Sequence, residues 1–367
     1  MKSEATSKIS VLDALTTGLT LAIRRPWLWL IPVLVDLTLW LAPRFSIGDL
    51  LIASFDWWEG QMRAFYPPAQ LVQLADMLTR VRAAFTQLGG ELNLADLFAG
   101  SWLGAPSVIA AAAATRLTFI SDMVLAPAGL SLSLPRPAAA PWQAAAVEVG
   151  GWGAVLLLLV CGWLVSQLCA TFYLRWLARA WQAGRDAPQT ADPWAGWPGF
   201  LRLAIRLAAL CLILGILAFL LRLPLGVAVT LMMLSGSGAA TMASILVGGM
   251  TLWMLVWFLT SFFFAGEALI LDRQPLLKEI WQSIILVRLN GWSALGLALI
   301  VNVLLLGFRA VWGLIGRAPV GAAVAIIGNA YLATGLLLGI FTYYAELRRR
   351  WQVMATSRQG ASRQVDK

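Results

Sequence analysis

The sequence predicts an all-α polytopic membrane protein, with six transmembrane helices in three hairpins and a helical extracytoplasmic insertion between helices 1 and 2. Three observations carry this expectation. Of 367 residues, 60% are apolar and 12% charged, with a mean hydropathy of +0.78, outside the range of soluble domains. Six apolar runs fall at 27–41, 150–174, 203–221, 243–267, 292–312 and 321–344. Most approach the roughly 20 residues that cover a hydrocarbon core about 30 Å thick. Finally, segments 1–26, 173–206, 267–290 and 345–367 total 107 residues and hold 18 of the 27 Lys and Arg, whereas the 105 residues of 44–148 hold six. Lys and Arg accumulate on the cytoplasmic side, so both termini are expected in the cytoplasm and 44–148 outside the cytoplasmic membrane.

Residues 1–43 read as a cytoplasmic amphipathic helix followed by the first span. No cleavable leader is expected, because 1–25 is amphipathic and mixed and the first apolar run serves as an anchor. That run is short. Adding 19–23 or 43–47 at its ends, or local thinning of the bilayer, would let it cross.

Residues 44–149 form the insertion. Leu71, Leu74, Leu78, Val81, Phe85 and Leu88 recur at 3-4 spacing, the stripe of an amphipathic helix. Pro67-Pro68 precedes it and Gly89-Gly90 closes it. The stripe is too short for a stable coiled coil and is expected to pack within the insertion. Asp56-Trp57-Trp58-Glu59 suits an aromatic anchor at headgroup level. Residues 134–141, with three prolines and three alanines, read as an extended linker.

Residues 150–344 hold the remaining five spans. The stretch 224–234 is apolar but too short to cross; it is expected to be interfacial or re-entrant, followed by the turn Ser235-Gly236-Ser237-Gly238. A lead-in element recurs before outward-going spans: LTLAIRRPW (19–27) and IILVRLNGW (284–292) each join an amphipathic helix, a basic residue and a turn residue to Trp. WAGWPGF (194–200) is a looser third copy, so the three hairpins read as parallel repeats. Gly335-xxx-Gly339, with Gly321 and Gly328 earlier, lines one face of the sixth span for close helix packing. Residues 345–367 are a basic cytoplasmic tail.

Several function classes are excluded or disfavoured. Histidine is absent, which removes His general bases, Ser-His-Asp and Cys-His nucleophile systems and most zinc sites. No phosphate loop, HExxH, GxSxG or CxxC occurs, and no cofactor is implied. The net charge of +9 resides entirely in the four cytoplasmic segments. It therefore reads as orientation and attraction to anionic lipid headgroups, not nucleic-acid binding. Cys161, Cys169 and Cys211 lie in apolar runs and read as buried, inert thiols.

At EALILDRQPLLKEIWQSIILVRLNGWSALGLALIVN (267–302) and in the block 11–41, the chain resembles poorly characterised bacterial six-helix membrane proteins. These are related to the membrane domain fused to some glycerophosphodiester phosphodiesterases. The resemblance implies a fold and a membrane location but no activity. The fused catalytic domain has no counterpart here, and the 44–149 insertion departs from the compact pattern.

Few polar residues interrupt the spans. Asp36 lies near the middle of the first, where a carboxylate is costly and faces a bundle interior or a pathway. Asn302 and Asn329 are its candidate partners, since buried amides bond across helices. Arg206 and Glu267 lie at similar depth and read as a structural ion pair, while Arg309 snorkels outward. The functional expectation is a non-enzymatic accessory, scaffold or lipid-related membrane component whose partner is the bilayer, a membrane protein or a second copy. The alternative is a transporter or permease component with a polar path through Asp36, Asn302 and Asn329.

Overall fold

Helix α1 (Val11–Arg24) opens on a capping box: the Asp13 N–H donates to Ser10 Oγ (3.1 Å) and the Ser10 N–H to the Asp13 carboxylate (3.3 Å), satisfying two otherwise orphaned donors. It stops at Arg25, because Pro26 has no N–H to continue the ladder. A 3-10 turn (Pro26–Trp29) leads into α2 (Leu30–Leu41), whose axis is bent 96° from that of α1. Residues 19–23 are therefore not an in-line extension of the first span. The computed structural model describes residues 10–67, 75, 78–83, 85–87, 89, 93–94, 107, 146–183, 194–234, 238–272 and 274–365.

The two ends of the insertion meet. Strand β1 (Phe45–Ser46) pairs in parallel with β2 (Val147–Glu148), with Phe45 opposite Val147. Between them, α3 (Gly48–Phe65) packs against the helical residues near 78–89. Phe55 meets Phe85 at 5.7 Å, Asp56 pairs with Arg82 at 2.9 Å, and a Cβ on Gly89 would come within 2.5 Å of Gly48 Cα. Leu78 is buried and Phe85 half-buried, so the described part of the stripe packs inside the insertion. Leu71, Leu74, Leu88, Gly90 and 134–141 lie outside the described residues. Trp57 of the expected aromatic anchor is exposed.

Among the described residues, seven further helices follow: α4 (Trp152–Ala183), α5 (Gly196–Leu234), α6 (Gly238–Ser261), α7 (Ala265–Leu271), α8 (Leu276–Leu289), α9 (Gly291–Ile315) and α10 (Pro319–Val365). Among the described residues, four helices are long and apolar enough to cross a membrane, or five if the bent α1–α2 pair is one span. They are α4, Gly196–Leu217 of α5, α9 and Pro319–Met354 of α10. Among the described residues the protein is thus a predominantly helical, membrane-embedded bundle with one small β bridge. One expectation is corrected: 224–234 is not set apart from the helix of the third span but continues α5 without a break through Pro224. The turn residues 235–237 lie outside the described residues.

Helix α10 is the central mast. In its most apolar window 72% of residues are buried, against 22–33% for the other three, so it faces protein where they face lipid. Its glycine face seats α1 rather than another span. A Cβ on Gly18 would collide with the backbone at Gly335 and Gly339, and Leu15 and Leu19 fill the space over those glycines. Farther up, Gly328 receives the Trp312 ring of α9, and Trp40 of α2 packs on Ala322 and Ile326. The two lead-in copies are both present as a helix, a break and a second helix: α1 to α2, and α8 to α9. The thiols correct a second expectation. Cys161 and Cys169 are free but exposed at the protein surface, so the surrounding apolar phase, not the protein core, covers them.

Candidate functional site

The polar residues singled out within the spans are not assembled into one path. Asp36 is fully buried and accepts a hydrogen bond from Ser107 Oγ of the insertion. Asn329 is also buried. Asn302, however, sits on the outer face of α9, and its amide donates to the Ala298 carbonyl one turn back (2.8 Å). The reason is helical phase: Ala294, Leu297, Ala298 and Val301 form the buried stripe, and Asn302 lies about 100° past Val301. Among the described residues no hydrogen bond joins any two of Asp36, Asn302 and Asn329.

Arg206 and Glu267 likewise do not pair. The Arg206 guanidinium donates to the Gln274 carbonyl (3.2 Å) and stacks over the Trp194 ring at 5.3 Å. One Glu267 carboxylate oxygen is buried with no hydrogen-bond partner. The cause lies between α6 and α7, where a non-helical break at 262–264 sets Glu267 on a new short helix. Leu210 and Leu214 pack against Ala265, and the turn between α7 and α8, rather than Glu267, supplies the carbonyl that Arg206 meets.

What the fold does assemble is a buried charge cluster around the α7–α8 hairpin. Asp272, at the C-cap of α7, is 1% exposed. It accepts a hydrogen bond from Tyr344 Oη (2.9 Å) and an ion pair from Arg348, both on α10. Glu279, in the first turn of α8, is 0% exposed, and neither carboxylate oxygen has a hydrogen-bond partner. Arg206, Asp272 and Arg348 act on it electrostatically.

Burial pushes the Glu279 carboxyl up to about 8, with Arg206 the strongest opposing influence. Burial also raises Asp272, while Arg348 and the Tyr344 hydroxyl pull it back. A cavity of about 10 Å³, room for one water molecule, lies beside the cluster between Gln282, Ile285, Leu286, Tyr344, Arg348 and Trp351.

Supporting contacts converge on the same end of the bundle. The Trp194 indole N–H donates to the Ile270 carbonyl (3.2 Å) and the Ser283 hydroxyl to the Ser261 carbonyl (3.0 Å). The C-terminal half of α4 is tied to α10 by the Tyr173–Thr334 hydroxyl pair (2.8 Å) and by the Trp181 N–H donating to Thr342 (3.0 Å). Arg25, at the α1–α2 break, donates to the Ala180 carbonyl (2.6 Å).

Sequence reasoning missed Asp272, Glu279, Tyr344 and Arg348 as a group. A signal existed: Glu267, Asp272 and Glu279 place three acids within 13 residues of a chain with only 18. Their partners come from α5 and α10, which spacing along the chain does not reveal. The cluster cannot be read as a metal centre, since no group of three potential acidic, Cys or His ligands converges among the described residues.

No family model, curated protein or solved structure matches the chain.

Proposed function

We propose that this chain is a non-enzymatic accessory or scaffold component of the cytoplasmic membrane, with six spans, both termini in the cytoplasm and the 44–149 insertion outside. One observation carries the reading: polar side chains of the buried core serve to tie other helices to α10. Thr334, Thr342 and Tyr344 bond to α4, α4 and the end of α7, respectively. Asp36 ties α2 to the insertion. Such buried bonds lock helix packing in an apolar phase.

Six spans follow from the described four or five when α6 is added. It is 24 residues long and carries no charged side chain, enough to cross about 30 Å of hydrocarbon. Sidedness is supported by convergence. The α1–α2 break, the end of α4, the start of α5, the α7–α8 hairpin and the 341–348 stretch of α10 all meet at one end. The charge asymmetry assigns those same segments to the cytoplasm. The lead-in elements and the resemblance at 267–302 agree with this arrangement.

Reconstitution in proteoliposomes tests the role. The expected outcome is no proton or cation flux above that of empty vesicles. A flux abolished by Asp36→Asn would overturn the scaffold reading in favour of a transporter component using the buried carboxylate.

A further inference from the structure

We infer that the α7–α8 hairpin is a proton-dependent latch, docked on α5 and α10 while Glu279 carries its proton and released when that proton is lost. The inference concerns regulation of the fold and stands whether the protein is a scaffold or a transporter component.

The geometry supplies the switch. Glu279 is 0% exposed and both carboxylate oxygens lack a hydrogen-bond partner. A neutral carboxyl is tolerable in such a place. An ionised one has only the nearby Gln274 backbone N–H and arginines that are already engaged to offset its burial, which favours local opening to water.

The neighbouring charges relieve the ionised form only in part. From α5, Arg206 faces Glu279 but is engaged with the Gln274 carbonyl and the Trp194 ring. From α10, Arg348 is held by Asp272, and Tyr344 donates to that same carboxylate. The α7 end contributes Asp272, whose negative charge opposes a second one; Glu267, on α7, adds another acid to this end. Helix α6, joined to α8 through Ser261 and Ser283, has no charged residue, and α9 has only Arg309, toward its other end. Among the described residues, two arginines thus face three acids, and both already have partners. Burial that pushes the carboxyl up to about 8 places the transition just above neutrality.

The hairpin is built to move alone. Pro275 separates α7 from α8, the 262–264 break separates α7 from α6, and Asn290 separates α8 from α9. Undocking α8 therefore needs no change within the long spans.

Hydrogen exchange of the full-length protein in lipid nanodiscs at pH 6 and pH 9, corrected for intrinsic exchange, tests the latch. Peptides covering 276–289 should open about tenfold or more at pH 9 relative to pH 6, while 322–340 of α10 stays equally protected. In Glu279→Gln the hairpin should be equally protected at both values. Glu279→Met, of similar volume and untitratable, substitutes if the amide variant does not fold. Three outcomes would overturn the inference: equal protection of the wild-type hairpin at both pH values, the same opening in the untitratable variants, or loss of protection spread evenly over the chain.

Discussion

Asp272 and Glu279 lie in one hairpin seven residues apart, yet their surroundings make them behave differently. Asp272 has Arg348 and the Tyr344 hydroxyl as partners, so removing its charge leaves a guanidinium uncompensated. Asp272→Asn should destabilise the protein by about 2–4 kcal/mol, discounted from fully buried pairs because Arg348 is one-third exposed. The check is a thermal-unfolding shift of the purified protein. Tyr344→Phe, which deletes one hydrogen bond, should cost less, about 1–2 kcal/mol.

Glu279 predicts a pH dependence of definite sign. Its carboxyl is raised in the folded chain, so the folded state binds the proton more tightly than the unfolded state does. The stability it contributes is fully present below the ordinary carboxylate range, falls as pH rises, and is lost by about pH 8. Melting temperature should decline between pH 5 and pH 8, and Glu279→Gln should flatten that slope. A wild-type melting temperature that rises over the same interval would contradict the assignment.

At the scale of elements, α1 and α10 pack backbone against backbone. Gly18, Gly335 and Gly339 let an amphipathic helix approach the mast until backbones touch, which is the use small-residue faces have between membrane helices. Gly18→Leu has no space on either side and should undock α1, costing about 3 kcal/mol or more and exposing 11–24 to proteolysis. Ile23→Ala, on the exposed face of the same helix, should be nearly neutral. Crosslinking analysis of Gly339→Leu separates this contact from a dimer interface: loss of stability with unchanged oligomeric mass is expected. The 96° bend after α1 has an equally local cause, since Pro26 ends one helix and begins the next turn.

For the whole molecule, the expectation is an alternation of sides. With the native cysteines replaced, Ser133→Cys and Ser357→Cys should react with an impermeant maleimide from opposite faces of the membrane; labelling from one face would dismantle the three-hairpin arrangement. Much of the architecture was legible beforehand. The long helices, the lead-in breaks at Pro26 and Asn290, and the inward placement of the described stripe residues Leu78 and Phe85 correspond to signals carried by neighbouring residues. The extent of α5 was not, because Pro224 resembles a boundary although the helix continues through it.

The candidate site was far less legible. Asp36 was found because a lone acid in an apolar run is conspicuous, whereas Asn302 was misjudged because its phase on α9 depends on how that helix is rotated against α10. The sequence by itself determined that the chain carries long apolar helices suited to a bilayer and where several breaks between helices fall, since hydropathy, charge and turn residues are local and additive. Only the tertiary structure decided that α1 fills the glycine face, that Asn302 looks outward, and that Asp272, Glu279, Arg206 and Arg348 meet. Those outcomes depend on helix crossing and rotation, in which residues far apart in the chain become neighbours in a medium that favours no one apolar face over another.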